Sequence, residues 1–444
     1  MKYILPIIGT MTAATLFAFA TTDSAARSVE DASHNSTFEQ LELFADVLAR
    51  VRSDYVVNVD DEELIADALN GMLQSLDPHS SYVTPEEFKA LQETTSGKYG
   101  GLGMEVTTEE GVVKVVSPFD DSPADKAGIK AGDYLTAIEG ESILGLSLSD
   151  AVKQMRGKPG EPITVTVVTE GEDPRDVTLI RETIKPHVVK AELKDGIGYL
   201  RLSQFNERSE DSLLKGISTL KSQAGGRIPG IILDLRNNPG GLLDQSVNIS
   251  SAFLSGGEVV SIRGRRNNDT QRFNAKTKQA VDGSTPLIIL INGASASASE
   301  IVAGAVQDRG RGLVLGTTSF GKGSVQSIIP LKGGRDGALR LTTQRYYTPS
   351  GRSIQGTGIE PDIAVSSIPE AETKGLRFSE ADLPNSIENE DGTIEGETPE
   401  DSDVAEIIID YPPEDYSEDD DYQLERAIEI LKDGSYAKRL AAAG

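Results

Sequence analysis

From residue 38 to 57, and again from 61 to 73, apolar residues recur three and four positions apart. This spacing gathers them on one face of a helix, so the pattern predicts two amphipathic helices, the second capped by Asp61. A third helix is predicted to begin after Thr84, because threonine is a good N-cap and the proline that follows it fits the first helical turn. Together these elements predict a helical domain over residues 37–93.

Beyond residue 97 the pattern changes to short apolar strands separated by glycine turns, which predicts a small β-rich module over 97–182. From 183 to 368, apolar strands alternate with amphipathic helices, a pattern typical of an α/β core. One such helix is predicted at about 209–223. The predicted buried strands of this core are 230–236, 287–291 and 313–315.

Charge is distributed unevenly along the 444 residues, whose net charge is −27. Residues 370–421 contain 20 Asp and Glu against Lys374 and Arg377, so this stretch carries −18 and the remainder −9. Such a composition predicts a disordered, solvated segment, with a docking or regulatory segment as the alternative. An acidic chain also repels phosphate, so nucleic acid is not an expected partner. A final helix is predicted from 422 to about 440, within a C-terminal region of 422–444 that packs on a neighbouring domain or subunit.

The first 20 residues place Lys2 before an apolar stretch that ends in Ala18-Phe19-Ala20. This pattern predicts a secretory signal peptide over 1–20, cleaved after Ala20 or, as a second choice, after Ala26. An uncleaved anchor is the alternative, since the stretch is borderline in length for crossing a membrane. Either way the bulk of the chain is predicted to be exported to the periplasm or cell envelope, in the second case retained at the inner membrane. The chain has no cysteine, which excludes disulfides, thiolate catalysis and cysteine-ligated metals.

Candidate chemistry concentrates after the predicted strand 287–291, where Ser295, Ser297 and Ser299 stand at a strand-to-helix junction. A serine hydroxyl needs a base to become a nucleophile. Lys322, flanked by glycines and apolar residues, could serve if burial keeps its amine neutral. Gln326 lies four residues further on the same strand face, where its amide could orient the amine without adding charge. The residues leave the choice among the three serines open.

Two other interpretations of this stretch are weaker. Histidine is the usual base for serine, but His34, His79 and His187 all lie outside the strand-rich candidate region. The run from Gly316 to Lys322 matches most of a phosphate-binding loop, yet glycine follows the lysine where the motif requires serine or threonine. A strand-like run also follows where that motif requires a helix. A nucleotide site is therefore not expected.

The β-rich module resembles a PDZ domain. The resemblance rests on the loop GGLGM before the first strand and on the small-residue helix SPADKAGIKAGD, which occur in the order of that family. It implies that the backbone of Gly101, Leu102, Gly103 and Met104 holds a peptide carboxylate while the adjacent sheet edge accepts an extended peptide.

Over residues 37–365 the chain resembles the carboxy-terminal processing peptidases, tail-specific serine proteases with a PDZ domain and a Ser/Lys dyad. The motifs that carry this resemblance are LDPHSSY, IGYLRLSQF, DLRNNPGG, SASASEIVAGAVQD, GTTSFGKGSVQ and YYTPSGRSIQG. The resemblance implies a multidomain α+β and α/β fold: an N-terminal helical unit, then a PDZ domain inserted before a crotonase/ClpP-like α/β serine protease core, then the acidic segment and the C-terminal helix.

The resemblance also implies the roles of individual residues. Ser297 would be the nucleophile, Lys322 the general base and Gln326 its orienting partner. The oxyanion hole would comprise the backbone N–H of Ala298 with that of Gly240 or Gly241, and Arg156 would bridge the PDZ and protease parts in an active state. An ordinary surface arginine is the alternative for Arg156.

No metal or other cofactor is implied. The expected partners are protein substrates with accessible C-terminal tails, and the family leaves room for an activating adaptor. The two terminal helical regions predict a homo-oligomer. A PDZ-based scaffold or chaperone with a non-cleaving core is the alternative function, which the Ser297, Lys322 and Gln326 set disfavours.

Overall fold

The computed structural model describes residues 37–109, 111–119, 121–169, 171–266, 269–370, 378–390, 408–417 and 420–443. The predicted signal peptide, residues 1–20, lies outside these ranges. Among the described residues, those up to Leu69 form one compact unit and those from Asn70 form another. Within the described ranges, no helix has the length and apolarity needed to cross a membrane.

The predicted N-terminal helices are present. Helix α1 covers residues 37–54 and α2 covers Asp61–Gln74, so the division between the two units falls inside α2. The cap of α2 differs from the prediction: the carboxylate of Asp60, not Asp61, accepts the backbone N–H groups of Glu62 and Glu63 at 2.8 and 3.1 Å. Aspartate caps from the residue before the first turn, and two adjacent aspartates make that position ambiguous in sequence.

After strand β1 (Ser81–Val83), helix α3 (Pro85–Ser96) begins as predicted. The Thr84 hydroxyl accepts the N–H of Glu87 at 3.3 Å, and the Glu87 carboxylate accepts the N–H of Thr84 at 2.9 Å. This reciprocal capping box satisfies two N–H groups that the first helical turn leaves free. Gly97 ends the helix in the left-handed region, with φ of 63°.

The β-rich module is an antiparallel sheet with strand order β3-β4-β5-β7-β8, to which β6 adds beside β5. A separate two-stranded ribbon, β2 with β9, joins both ends of the module to the rest of the chain. The sheet and the helix α5 enclose one apolar core, which includes Val115, Leu135, Val165 and Met155. The elements are β2 (Tyr99–Gly101), β3 (Met104–Glu109), β4 (Val112–Pro118), α4 (Pro123–Lys126), β5 (Tyr134–Ile138), β6 (Glu141–Ser142), α5 (Leu148–Met155), β7 (Pro162–Val168), β8 (Arg175–Ile180) and β9 (Glu182–Ile184).

Two further sheets build the α/β core. The elements are β10 (Val189–Lys194), β11 (Ile197–Leu202), α6 (Ser209–Gln223), β12 (Ile231–Asp234), α7 (Leu243–Ser251), β13 (Glu258–Gly264), β14 (Thr270–Asn274), β15 (Leu287–Ile291), α8 (Ala298–Asp308), β16 (Leu313–Gly316), β17 (Ser324–Pro330), β18 (Ala338–Tyr347) and β19 (Ile363–Ala364). One sheet has the order β10-β11-β12-β15-β16-β19 and is parallel except for β10. The other is antiparallel and pairs β18 with β1, β13 and β17, with β14 beside β13.

The central strands β12, β15 and β16 are buried along their whole length, as expected for a parallel sheet covered on both faces. Their carboxyl ends share one edge, where the DLRNNPGG and SASASE segments both begin. In open parallel sheets, ligand-binding and catalytic sites lie at the carboxyl ends of the strands, so this edge is the expected place for an active site.

The C-terminal region holds two helices where one was predicted: α9 (Tyr422–Lys432) and α10 (Tyr436–Ala443). Gly434 separates them with φ of 78°, a conformation that ends a helix readily only at glycine. The buried face of α9, which includes Leu424, Ala427 and Ile430, packs on the parallel sheet of the same chain.

The prediction of disorder for 370–421 is wrong for the parts that the structure describes. Residues 378–390, here called the strap, contain a short 3-10 turn at Glu380–Asp382. Further on, Asp410 forms a β-bridge with Val365 at the end of the core. Composition reports the mean charge of a stretch, whereas individual carboxylates in it find partners far away in sequence. The rest of the acidic segment lies outside the described residues.

Candidate active site

The nucleophile candidate stands where β15 gives way to α8. Ser297 directly precedes α8 and has φ of 58° and ψ of −113°. A non-glycine residue seldom occupies this region, so the surrounding contacts must hold it there. Its N–H donates to the Glu300 carboxylate at 2.6 Å. The strained turn places the Ser297 side chain at the carboxyl edge of the sheet, beside the N-terminus of a helix whose dipole favours negative charge.

The three serines of this junction have different surroundings. The Ser295 hydroxyl donates to the carbonyl of Leu235 at 2.8 Å, and the Ser299 hydroxyl donates to the carbonyl of Asn238 at 2.9 Å. Both side chains are fully buried. Only Ser297 among the three lines the adjacent cavity. The structure therefore separates one reactive candidate from two hydroxyls that hold the loop together.

The cavity beside Ser297 has a volume of about 370 Å³. Its walls are mostly apolar, with hydroxyl, amide and carboxylate groups at intervals, a composition typical of a ligand-binding pocket. Burial raises the pKa of Tyr346, one of the lining residues, well above its usual value, so its hydroxyl stays protonated. The lining residues are Gly241, Leu242, Leu243, Asp244, Ser297, Ile301, Ser324, Val325, Gln326 and Tyr346.

Of the two glycines after β12, Gly240 approaches the nucleophile loop closely, and Gly241 approaches the backbone of Phe205. A Cβ on Gly240 would lie 2.8 Å from the backbone nitrogen of Ala298, so only glycine fits there. The N–H of Gly240 donates to the Asn238 side chain at 2.9 Å. By contrast, neither Gly241 nor Ala298 donates its N–H to any of the residues that the structure describes. Of the two glycines, Gly241 therefore has the free donor.

Lys322 lies in the loop between β16 and β17. Burial lowers the pKa of its amine, and Arg340 lowers it further, while Glu380, Asp77 and Glu300 oppose these effects. The net shift favours the neutral form that a general base requires. Within the described ranges, the amine forms neither a hydrogen bond nor an ion pair, so it is not joined to Ser297 in this structure.

Gln326 lines the same cavity as Ser297, but it does not contact the lysine as expected. Its amide nitrogen donates to the hydroxyls of Ser324 and Thr342 at 3.0 and 3.1 Å. Thr342 in turn donates to Asp77 at 2.9 Å. Ser324 lies on the same strand as Gln326, β17, whereas Thr342 comes from the neighbouring strand β18, and no local pattern in the sequence indicates the pairing with Thr342.

The sequence analysis overlooked Glu300, which connects the two halves of the site. One carboxylate oxygen accepts from the Ser297 and Lys322 N–H groups at 2.6 and 3.0 Å, and the other accepts from the Ser319 hydroxyl and the Gly321 N–H at 2.6 and 2.7 Å. Complete burial raises the pKa of Glu300 to about 7, against the effect of these hydrogen bonds. The Ser-x-x-Glu spacing of a capping box was a signal that could have identified it.

These contacts also explain the near-match to a phosphate-binding loop. The backbone N–H groups of Gly321 and Lys322, which would cradle a phosphate in such a loop, hold the Glu300 carboxylate instead. A second anion at the same place would be repelled by that carboxylate.

The histidines fall in three different places. His79 lies close to the lysine loop, since its Nε2 is 2.8 Å from both carboxylate oxygens of Glu380. Its distance in sequence from Lys322 had placed it outside the candidate region. His187 is exposed, and His34 lies outside the described residues.

In the β-rich module, Leu102 and Met104 are buried, and Gly103 has φ of 74°. A Cβ on Gly103 would lie 2.4 Å from the Cβ of Ser122, so the loop requires glycine. Gly101 is the last residue of β2.

Arg156 directly follows α5 and stacks its guanidinium 4.4 Å from the centre of the Tyr99 ring. Tyr99 belongs to the ribbon that joins the module to the core. Arg156 therefore contacts the junction between the two parts, and its contact with the core stays an expectation.

Models of known protein families match three parts of the chain. The family model for peptidase family S41 matches residues 196–365, a PDZ-domain model matches 113–169, and a model for the N-terminal domain of the activating protease CtpB matches 7–87. The carboxy-terminal-processing protease of Bartonella bacilliformis is 48% identical over 411 residues, which cover 92% of either chain. The carboxy-terminal processing protease CtpA of Bacillus subtilis is 32% identical over 364 residues, 81% of this chain and 76% of that one. A solved photosystem II D1 C-terminal processing protease is 30% identical, with a TM-score of 0.42 over 69% of this chain and 83% of that one.

Proposed function

Since this chain belongs to peptidase family S41, the carboxy-terminal processing peptidases, we propose that it is an exported endopeptidase that captures protein C-termini in its PDZ domain and cleaves near them with Ser297 and Lys322. The chain is a serine-type peptidase with a PDZ domain and a multidomain architecture, as its sequence predicted. The dyad, the capture of C-termini and the export are the proposal.

One observation carries the assignment of the dyad. Among three neighbouring serines, only Ser297 faces the cavity, and the buried Glu300 ties its backbone to that of Lys322. Burial lowers the pKa of the lysine amine, which supports its role as a base.

In the proposed reaction, neutral Lys322 takes the proton from the Ser297 hydroxyl as its oxygen attacks the scissile carbonyl carbon. The N–H groups of Gly241 and Ala298 donate to the oxyanion that forms. The lysine ammonium then gives its proton to the leaving amine, and the acyl-enzyme remains. Lysine next deprotonates a water molecule, whose attack releases the new C-terminus and returns the proton to Ser297.

We propose that substrate binding completes this arrangement by bringing the Lys322 amine to Ser297 and to Gln326, whose amide nitrogen donates to Ser324 and Thr342 in this structure. Arg156 is positioned to respond to peptide binding by the PDZ domain, since it stacks on Tyr99 at the junction of that domain and the core. If Arg156→Ala leaves basal and substrate-stimulated cleavage unchanged, Arg156 has no part in activation.

The preferred tails are expected to be short and apolar or small, as the resemblance to the family implies. A homo-oligomer and an activating adaptor remain part of the proposal. A non-cleaving scaffold would bind the same tails, so cleavage itself must be measured.

The test incubates the full-length protein with a peptide that ends in apolar residues, in the presence of a chelator, and identifies fragments by mass spectrometry. Ser297→Ala should abolish cleavage. Ser295→Ala, which removes a neighbouring buried hydroxyl, should retain it. Amidating the peptide's C-terminus should raise KM, because the PDZ loop would lose the carboxylate. Full activity of Ser297→Ala would refute the dyad, and binding without cleavage by the unmodified protein would establish the scaffold.

Export is tested separately by cell fractionation and N-terminal sequencing of the mature protein. A first residue at 21 or 27 would identify cleavage after Ala20 or Ala26. Recovery of the intact N-terminus in the membrane fraction would establish the anchor instead.

A further inference from the structure

The strap, residues 378–390, reaches the loop that carries Lys322 from outside the range matched to the peptidase family. The Glu380 N–H donates to the carbonyl of Phe320 at 2.9 Å, two residues before the lysine. The Phe378 ring lies 6.1 Å from the Phe320 ring, within the range of a favourable aromatic pair. A segment expected to be disordered is therefore fastened to the catalytic loop by both main chain and side chain.

The strap buries the Glu380 carboxylate beside this loop. The residue is 1% exposed, and both carboxylate oxygens lie 2.8 Å from Nε2 of His79. Gln355 donates its amide nitrogen to the carboxylate at 3.1 Å and accepts the N–H of Gly323 at 2.9 Å. Gly323 follows Lys322 directly, so Glu380 is connected to the residues on both sides of the lysine. A buried carboxylate placed this firmly has a fixed electrostatic effect.

The charged groups that face the lysine amine come from four other parts of the core. Burial is the largest influence and lowers its pKa. Glu380 on the strap has the second largest influence and raises the pKa. Smaller influences come from Arg340 on β18, which lowers the pKa, and from Asp77 and Glu300, which raise it. Among the surrounding charges, the strap thus contributes the strongest one, and it opposes the neutral state. The Tyr346 hydroxyl also faces Glu380 and stays protonated.

We propose that Glu380 is a positioning residue for Lys322: the strap fixes its carboxylate beside the lysine loop, where the negative charge favours the ammonium form of the lysine and opposes the effect of burial. The strap follows the matched peptidase range, which ends at residue 365, so residues outside that range tune the general base. This inference rests on the proposed role of Lys322, and it adds a function for a segment that composition alone marks as solvated tail.

The first measurement needs no catalysis. A brief pulse of an acylating amine reagent, followed by peptide mass spectrometry, gives the labelling rate of Lys322 in the intact protein as a function of pH, since only the neutral amine reacts. In Glu380→Gln, which keeps the shape of the side chain, the labelling midpoint should fall by about one pH unit, because the variant removes a nearby negative charge that favours the ammonium form. Below the midpoint, about tenfold more neutral amine should be present.

Two matched variants separate charge from structure. Glu380→Asp retains the charge and should keep the midpoint of the unmodified protein. Glu390→Gln alters the same strap, but there the carboxylate binds Arg345 and Tyr347, both at 2.7 Å, away from the lysine. It should leave the midpoint unchanged. The acid limb of kcat/KM for peptide cleavage should move with the labelling midpoint in Glu380→Gln alone.

An unchanged labelling midpoint in Glu380→Gln, or an equal shift in Glu390→Gln, would overturn the proposal. If Glu380→Gln does not fold, Glu380→Ala takes its place, because it removes the same charge without placing an amide group against His79. A midpoint shifted downward supports the proposal, and an unchanged one overturns it. Failure of the dyad would appear differently, as cleavage by Ser297→Ala, with the labelling result unaffected.

Discussion

Replacing Glu300 with glutamine separates the charge of the buried carboxyl from its shape. The carboxylate accepts four hydrogen bonds. A glutamine can keep its carbonyl oxygen towards the Ser297 and Lys322 N–H groups and turn its NH₂ towards Ser319, whose hydroxyl can accept as well as donate. Only the Gly321 N–H then lacks an acceptor, at a cost of about 1–3 kcal/mol.

The magnitude of the pH effect follows from the raised pKa. Burial lifts the pKa of Glu300 from 4.5 to about 7, so the folded state binds this proton more tightly than the unfolded state. The associated stability is fully present below the unfolded value and is lost as the pH rises through the folded one. Between pH 5 and pH 8 the loss amounts to about 2.5 kcal/mol in the free energy of unfolding. Glutamine does not titrate, so the variant should not show it.

The assay is urea unfolding at these two pH values, followed by far-ultraviolet circular dichroism because the chain has no tryptophan. Relative to the unmodified protein, Glu300→Gln should become more stable by about 2.5 kcal/mol on going from the lower to the higher pH. Glu207→Gln, at an exposed carboxyl, should differ from the unmodified protein by the same amount at both pH values, within about 0.5 kcal/mol. A constant difference for Glu300→Gln, or a change of the opposite sign, would refute the account of its burial.

Three further outcomes are expected. Lys322→Ala should give no acyl-enzyme by intact-mass measurement with an acylating inhibitor, with an unchanged far-ultraviolet spectrum; an acyl adduct would exclude the lysine as the base. Gly241→Ala should destabilise the fold by more than about 2 kcal/mol in a thermal melt, because the new Cβ would lie 2.0 Å from the Phe205 carbonyl oxygen at a φ of 143°; an unchanged melting temperature would contradict the close approach. Arg236→Lys should lower the free energy of unfolding by about 3 kcal/mol and make α9 susceptible to limited proteolysis, since lysine cannot reproduce the paired 2.7 Å contacts with Asp421. Protection of α9 equal to that of the unmodified protein would show that the ion pair is dispensable.

Elements whose pattern is local were predicted closely. The strand Leu287–Ile291 and the helix Ser209–Gln223 have the bounds that their apolar spacing indicated. The C-terminal helix was predicted as one from apolar residues that end at Leu431, before Gly434, where the backbone turns. Periodicity identifies a helical face over the residues that carry it, but it does not show where the helix ends beyond them.

The prediction of disorder for the acidic segment was wrong for a different reason. Its composition correctly reports an excess of negative charge, but Glu380 is buried and the half-exposed Asp421 is ion-paired. Their partners are His79 and Arg236, which lie 301 and 185 positions away along the chain. Ion pairs over such separations form only when the fold brings the partners together, and no window of sequence contains both.

By itself, the sequence determined the classes of element, the order of the modules and the small set of hydroxyl and amine groups from which a nucleophile and base could come. These follow from spacing and residue type, which are local properties. The tertiary structure decided which serine faces the cavity, because the carbonyls that occupy Ser295 and Ser299 come from a separate strand-to-loop segment, at Leu235 and Asn238. It also decided that Glu300 joins nucleophile to base and that a distant carboxylate faces the lysine. The physical reason is the same in each case: hydrogen bonds and electrostatic interactions depend on the distances between groups in space, and only folding sets those distances for residues far apart in sequence.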